Sequence, residues 1–198
     1  MSDCKSLNID KHSIKHILSN MNENTTNLNF SHTNITIVIL KQIGSHCPNL
    51  TNLYLHGCDI YSYEQLSEGL NYIADGCPNI KVIDLTSWVM KPSEFNYLVS
   101  KCKKLEVIRL IHCNSIDDSC IKSITDNCSN LKYLDIACCL YITDKSLNFL
   151  SQKSKKLETI YLHGGPLGNI NITDDGITTL SSGCVNIKNI MLAYLPNI

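Results

Sequence analysis

Residues 102–113 read CKKLEVIRLIHC, running from Cys102 to Cys113, and this phrase decides the fold. It recurs as CPNLTNLYLHGC from Cys47, CPNIKVIDLTSW from Cys77 and CSNLKYLDIACC from Cys128. It returns again as SKKLETIYLHGG from Ser154 and CVNIKNIMLAYL from Cys184, with a fainter copy, NENTTNLNFSHT, from Asn22. Successive starts lie about 25 to 30 residues apart, the spacing of a stacked repeat rather than of a closed globular core.

Each repeat contains a short strand. In Leu50-x-x-Leu53-x-Leu55-x-x-Cys58 the leucines alternate with Asn52, Tyr54 and His56, so period two sends them to opposite faces. The matching inward pairs are Ile83/Leu85, Ile108/Leu110, Leu134/Ile136, Ile160/Leu162 and Ile190/Leu192. A turn follows, carrying Ile116-Asp117-Asp118, Ile142-Thr143-Asp144 or Ile172-Thr173-Asp174. Here the isoleucine is expected in the core and the aspartate as acceptor for unpaired helix N–H groups. Lys91-Pro92 stands there in one unit, and proline suits a first helical turn.

A helix closes the unit. Apolar residues three apart share one of its faces: Leu40/Ile43, Leu70/Ile73, Phe95/Leu98, Ile121/Ile124, Leu147/Leu150 and Ile177/Leu180. A strand plus a helix in under about thirty residues, repeated, is a leucine-rich-repeat solenoid, an α/β horseshoe with parallel strands on the concave face and helices on the convex face. Residues 1–21 read as an incomplete N-terminal capping repeat, with Leu7 and Ile9 strand-like and Ile14, Ile17, Leu18 and Met21 at helical spacing; 22–198 is the solenoid proper. Residues 59–76 predict a longer helix. Residues 166–171 predict an extra loop, which either serves binding or reflects tolerated loop length.

Composition narrows the function. Hydrophobic content of 43% is that of a folded chain, and a formal net charge of −1 without a basic run gives no nucleic-acid footprint. The N-terminus lacks an apolar signal core and Ile35–Leu40 is too short to span a bilayer, so the expectation is no membrane association and an intracellular protein, cytoplasmic or nuclear. Eleven cysteines would suggest a disulfide scaffold in a short secreted chain, but the number is odd. Cys47, Cys77, Cys102, Cys128 and Cys184 open units and Cys58, Cys113 and Cys139 close strands, the pattern of a buried packing slot. Cys4, Cys120 and Cys138 fall outside the slots and read as exposed thiols. Trp88 occupies a strand-closing slot and should pack between coils.

Neither metal nor cofactor is expected. No Cys-x-x-Cys spacing supports zinc, and His12 and His16, though four apart, lack the glutamate of the zincin pattern. No phosphate loop, nucleophile elbow or carboxylate pair argues for an enzyme. Chemistry concentrates instead on the outward strand positions, where Tyr54, His56, Asp84, Arg109, Tyr133, Asp135, Tyr161 and His163 are the candidate partner-binding residues. The blander account is that Asp84, Arg109 and Asp135 form a cross-strand charge ladder that only stabilises the sheet.

The recurring C-x-x-L-x-x-L-x-L-x-x-C, then I-T-D and an apolar helix, resembles the cysteine-containing leucine-rich repeat of F-box/leucine-rich-repeat proteins and of F-box-less relatives such as the antagonist of mitotic exit network. The resemblance covers nearly all of the chain beyond the leading segment and implies a protein partner. It extends to substrate recognition in SCF ubiquitin ligases, with a Skp-type adaptor and cullin as further partners. Residues 1–21 show no Leu-Pro opening or tryptophan-containing third helix of an F-box, and the chain stops after a strand without a polar cap. These departures leave a structural or dimerisation module, or a truncated non-ligase relative, as the alternative.

Overall fold

The computed structural model describes residues 19–58, 63–166 and 168–198. Strands β1 (Asn27–Asn29), β2 (Asn52–Tyr54), β3 (Val82–Asp84), β4 (Val107–Arg109), β5 (Tyr133–Asp135), β6 (Thr159–Tyr161) and β7 (Asn189–Met191) form one parallel sheet in sequence order. Between them run α1 (Ile37–His46), α2 (Tyr63–Gly76), α3 (Pro92–Lys101), α4 (Asp118–Asn127), α5 (Asp144–Lys153) and α6 (Asp174–Gly183). Equivalent positions pair without slippage: Leu28, Leu53, Ile83, Ile108, Leu134, Ile160 and Ile190 stand side by side. A one-residue slip would turn every leucine outward, so the core enforces this register.

The inward residues of β2 to β6 are buried with the helix residues that face them, as alternation and three-residue spacing predict. In the coil of β7 the pattern persists but Ile190 and Leu192 are 43% and 37% exposed. Helix α2, at 14 residues against 10 for the others, matches the longer helix expected within 59–76; residues 59–62 lie outside the description. The leading 1–18, with Cys4, His12 and His16, lies outside it too. Met21 is buried under the first coil. Among the described residues no helix is long and apolar enough to cross a membrane.

The strand-closing slot holds a hydrogen-bond device. Cys58, Cys113 and Cys139 each direct their S–H at the carbonyl of the preceding coil's last inward residue: Phe30 at 3.2 Å, Leu85 at 3.0 Å and Leu110 at 3.1 Å. Trp88 fills the same slot, fully buried, and its indole Nε1–H donates to the Leu55 carbonyl at 2.6 Å. Unit-opening Cys77 and Cys184 likewise point their S–H at carbonyls of the coil before. Burial pushes the thiols of Cys77, Cys102, Cys113 and Cys128 up to about 12, so they stay protonated donors.

Two expectations are corrected. Cys120 and Cys138 are not exposed thiols. Cys120 shares the inward face of α4 with Ile121 and Ile124, and Cys138 is covered by the next coil, where His163 Nδ1 lies 3.7 Å from its sulfur. The aspartates of the turns do not all cap helices. Asp117 does, accepting from the N–H groups of Ser119 and Cys120. Desolvation alone would raise its carboxyl, but those bonds and the Ser119 hydroxyl together hold it below the usual range.

In the next coil the cap is Thr143, and the aspartate after each cap reaches forward instead. Asp118 accepts from Thr143 N–H (3.0 Å), Thr143 O–H (2.7 Å) and Ser146 O–H (2.6 Å); Asp144 accepts from Thr173 N–H and O–H in the same way. A Cβ on Gly176 would lie 2.0 Å from the Asp144 carboxylate, so glycine makes room for this bridge. The extra loop is pinned rather than slack at Asn169, residue 167 lying outside the description. Buried Asn169 donates its amide to the Ile142 carbonyl at 3.0 Å and accepts from the Asn171 N–H at 2.9 Å.

Candidate functional site

The sheet turns its outward positions into columns. Register places Tyr54, Asp84, Arg109, Asp135, Tyr161 and Met191 in one column, and Asn52, Val82, Val107, Tyr133, Thr159 and Asn189 in the column beside it. His56, Thr86, Ile111, Ala137 and His163 follow at the strand ends, one residue before a left-handed or glycine turn. Neighbouring members of a column are held at the ~4.8 Å strand spacing by backbone hydrogen bonds.

Four of the eight candidate residues converge. The Arg109 guanidinium lies over the Tyr133 ring, 4.9 Å from its centroid, and Tyr133 meets Tyr161 edge to face at 5.6 Å. Tyr133 O–H points at Asp135 Oδ2 across a long 3.5 Å. Desolvation, with the neighbouring Asp135 charge, pushes the Tyr133 phenol above its ordinary value. The result is a rigid cation–aromatic step at the middle of the sheet, with Tyr54 two strands away.

The aspartates do something other than expected. Asp84 and Asp135 are only 8% and 3% exposed. Each bends back to accept a backbone N–H two residues on, from Thr86 at 3.0 Å and from Ala137 at 3.1 Å. No ion pair within 4.0 Å joins Arg109 to either among the described residues, so the cross-strand ladder does not form as salt bridges. Desolvation holds the Asp135 carboxyl above the usual carboxylate range, against the Ala137 N–H and the Arg109 charge. The two carboxylates brace the strand ends, while Arg109 and the tyrosines Tyr54, Tyr133 and Tyr161 stand part-exposed between them.

The two histidines sit apart from this step. His56 packs edge to face on His32 at 4.2 Å, at the far end of the sheet. His163 accepts the Gly165 N–H at Nδ1 (2.9 Å), which leaves its proton on Nε2, and its ring lies 4.9 Å from that of Tyr194. Sequence reasoning missed His32 and Tyr194 because both follow the strand, at left-handed turn positions that strand alternation does not register. Among the described residues no group of three histidine, cysteine or acidic side chains is arranged to hold a metal.

No family model matches the chain. It is 29% identical over 134 residues to F-box/LRR-repeat protein 4 of Bos taurus, covering 65% of this chain and 20% of that protein. It is 28% identical over 168 residues to DNA repair protein rhp7 of Schizosaccharomyces pombe, covering 80% and 29%. With F-box/LRR-repeat protein 12 of Arabidopsis thaliana it shares 26% identity over 99 residues, covering 50% and 24%. The chain thus spans under a third of the length of each of these relatives. Among solved structures, an internalin of Listeria monocytogenes (inlF) superposes with a TM-score of 0.58 at 15% identity, covering 90% of this chain and 54% of that one. Internalin C2 of the same species gives 0.55 at 22% identity, covering 87% and 74%. Those likenesses establish the fold alone. The chain is a leucine-rich-repeat solenoid, similar in sequence to F-box/LRR-repeat proteins.

Proposed function

We propose that the concave face recognises a protein partner, with Tyr54, Arg109, Tyr133 and Tyr161 as its anchors. The observation that carries this is the Arg109–Tyr133–Tyr161 step, three pre-stacked side chains of the kinds that dominate interface energetics, held on hydrogen-bonded parallel strands. Stacking in the free protein reduces the entropy that a partner's arrival would otherwise cost. His56, Asp84, Asp135 and His163 frame that surface. In keeping with the F-box/LRR-repeat relatives, the captured partner would be a substrate presented to a ubiquitin ligase through a Skp-type adaptor and cullin.

The test is affinity capture of the tagged protein from its native cells, in parallel with Tyr54→Ala/Arg109→Ala. A protein retained by the parent and lost by the double variant supports the concave site; identical captures by both eliminate it. An adaptor and cullin captured with either variant support the ligase reading. A mass that rises with concentration in light scattering would favour self-association instead.

A further inference from the structure

We propose a second docking surface, independent of the concave face: the edge where each helix runs into the next strand binds an acidic helix of a protein partner. The sequence repeats one phrase there, Lys101-Cys102-Lys103-Lys104-Leu105-Glu106 and Lys153-Ser154-Lys155-Lys156-Leu157-Glu158, while the coil between reads Asn127-Cys128-Ser129-Asn130-Leu131-Lys132. All six triad lysines are exposed. The linear sequence hides this cluster, because the lysines lie two repeats apart. Stacking brings the two triads onto one edge, about 10 Å apart, with the uncharged residues 127–131 between them.

The array is built rather than incidental. Lys104 donates to Asn79 Oδ1 at 2.7 Å and Lys156 to Asn130 Oδ1 at 2.6 Å, neutral partners that fix the ammonium groups without cancelling their charge. Lys155 Nζ is held by the carbonyls of Ser151 and Gly183. Lys103 Nζ makes no bond among the described residues. The glutamates that end each phrase are engaged by the following coil, Glu106 by Lys132 at 2.8 Å and Glu158 by Lys188 at 2.7 Å. Asp75 and Asp126 offset Lys101 and Lys153 on the convex side. A positive surplus therefore sits at Lys103/Lys104 and Lys155/Lys156, in a chain whose overall charge is −1.

An acidic helix fits this spacing. Carboxylates at i and i+7 are about 10.5 Å apart along a helix, matching the two triads and spanning the neutral coil. A nucleic-acid strand fits less well. The edge offers only lysine, which is not the fork that reads phosphate bidentately, and Glu106 and Glu158 interrupt it at every second coil. Tyr97, beside the first triad, already carries the Lys101 ammonium over its ring at 5.2 Å, and a single such ring is no row of base-stacking platforms.

The test uses a labelled alanine/glutamine-background helical peptide with glutamates at i, i+3, i+7 and i+10, read by fluorescence anisotropy. A scrambled isomer and a short DNA duplex serve as competitors. The full chain should bind the patterned peptide more tightly than the scrambled one, with an affinity that falls as salt rises. Lys103→Glu/Lys104→Glu/Lys155→Glu/Lys156→Glu, checked for native circular dichroism, should weaken it by about tenfold or more. Tyr54→Ala/Arg109→Ala should leave it unchanged, which separates this surface from the concave one. Equal binding of the scrambled peptide, tighter binding of the duplex, or an unaffected quadruple variant would overturn the proposal.

Discussion

Two sets of repeated positions behave oppositely. In four coils the strand-closing slot holds Cys58, Trp88, Cys113 and Cys139, side chains very different in size, yet each directs its donor at the same kind of carbonyl in the coil before. The central outward column holds Tyr54, Asp84, Arg109, Asp135 and Tyr161, fixed in register but mixed in charge and aromatic character. In the slot the hydrogen bond is kept and the volume is free to vary. In the column the backbone is kept and the chemistry is free to vary. Invariance of role marks what holds the stack together, and variety over a rigid frame marks what a partner can read.

Breaking the slot should therefore have the largest effect. Trp88→Ala removes a fully buried indole and the donor to Leu55, and a large-to-small change at such a site costs about 3–5 kcal/mol. The urea midpoint reports it. Trp88→Phe sharpens the comparison by keeping most of the volume and losing the N–H, so it should cost about 1–3 kcal/mol, the range for stranding a buried acceptor. A Trp88→Phe variant as stable as the parent would show that volume, not the hydrogen bond, is what the slot conserves.

The forward-reaching aspartates come next. Asp118→Ala leaves Thr143 and Ser146 without their shared acceptor, and bonds to a charged group place the loss at about 2 kcal/mol. Native-state hydrogen exchange should show the destabilisation concentrated in α4 and α5. Uniform loss along the chain would mean that coils do not couple through this bridge.

Asp135 tests the column from inside. Its folded carboxyl titrates above its unfolded value, so ionisation is less favourable in the native state. It costs stability above the folded pKa, and that cost disappears as pH falls below the unfolded value. Asp135→Asn retains an oxygen for the Ala137 N–H and removes the charge. It should raise the thermal midpoint modestly at neutral pH, with the gain fading in acid. A gain that persists in acid would locate the strain in packing instead.

Much of this was legible in the sequence, and the omissions have physical causes. Periodicity of two and of three to four gave the strands, the helices, the buried faces and the eight outward residues, because each reports a local geometry repeated from coil to coil, in seven strands and six helices among the described residues. The role of Asp118 was missed because its acceptors' partners lie 25 and 28 residues away, in a coil that local capping rules do not see. Cys138 was misread for the same reason, since its cover comes from His163. Asp84 and Asp135 were placed in the right column, but charge pattern alone does not reveal that a carboxylate has turned back to its own backbone.

The smallest stability effect should accompany the largest functional one. Tyr54 and Arg109 are only part-buried, and Arg109 gives the fold little beyond its stacking on Tyr133, so Tyr54→Ala/Arg109→Ala should shift unfolding by no more than about 1 kcal/mol. If the column is a recognition surface, the same pair should weaken partner binding by at least about 2 kcal/mol, or about thirtyfold, as anchor residues do. Titrating the captured partner against parent and variant by calorimetry, beside urea melts of both, separates the two quantities. A variant that melts like the parent and binds weakly supports the division between slot and column. One that loses stability and binding in equal measure would make the column another part of the stack.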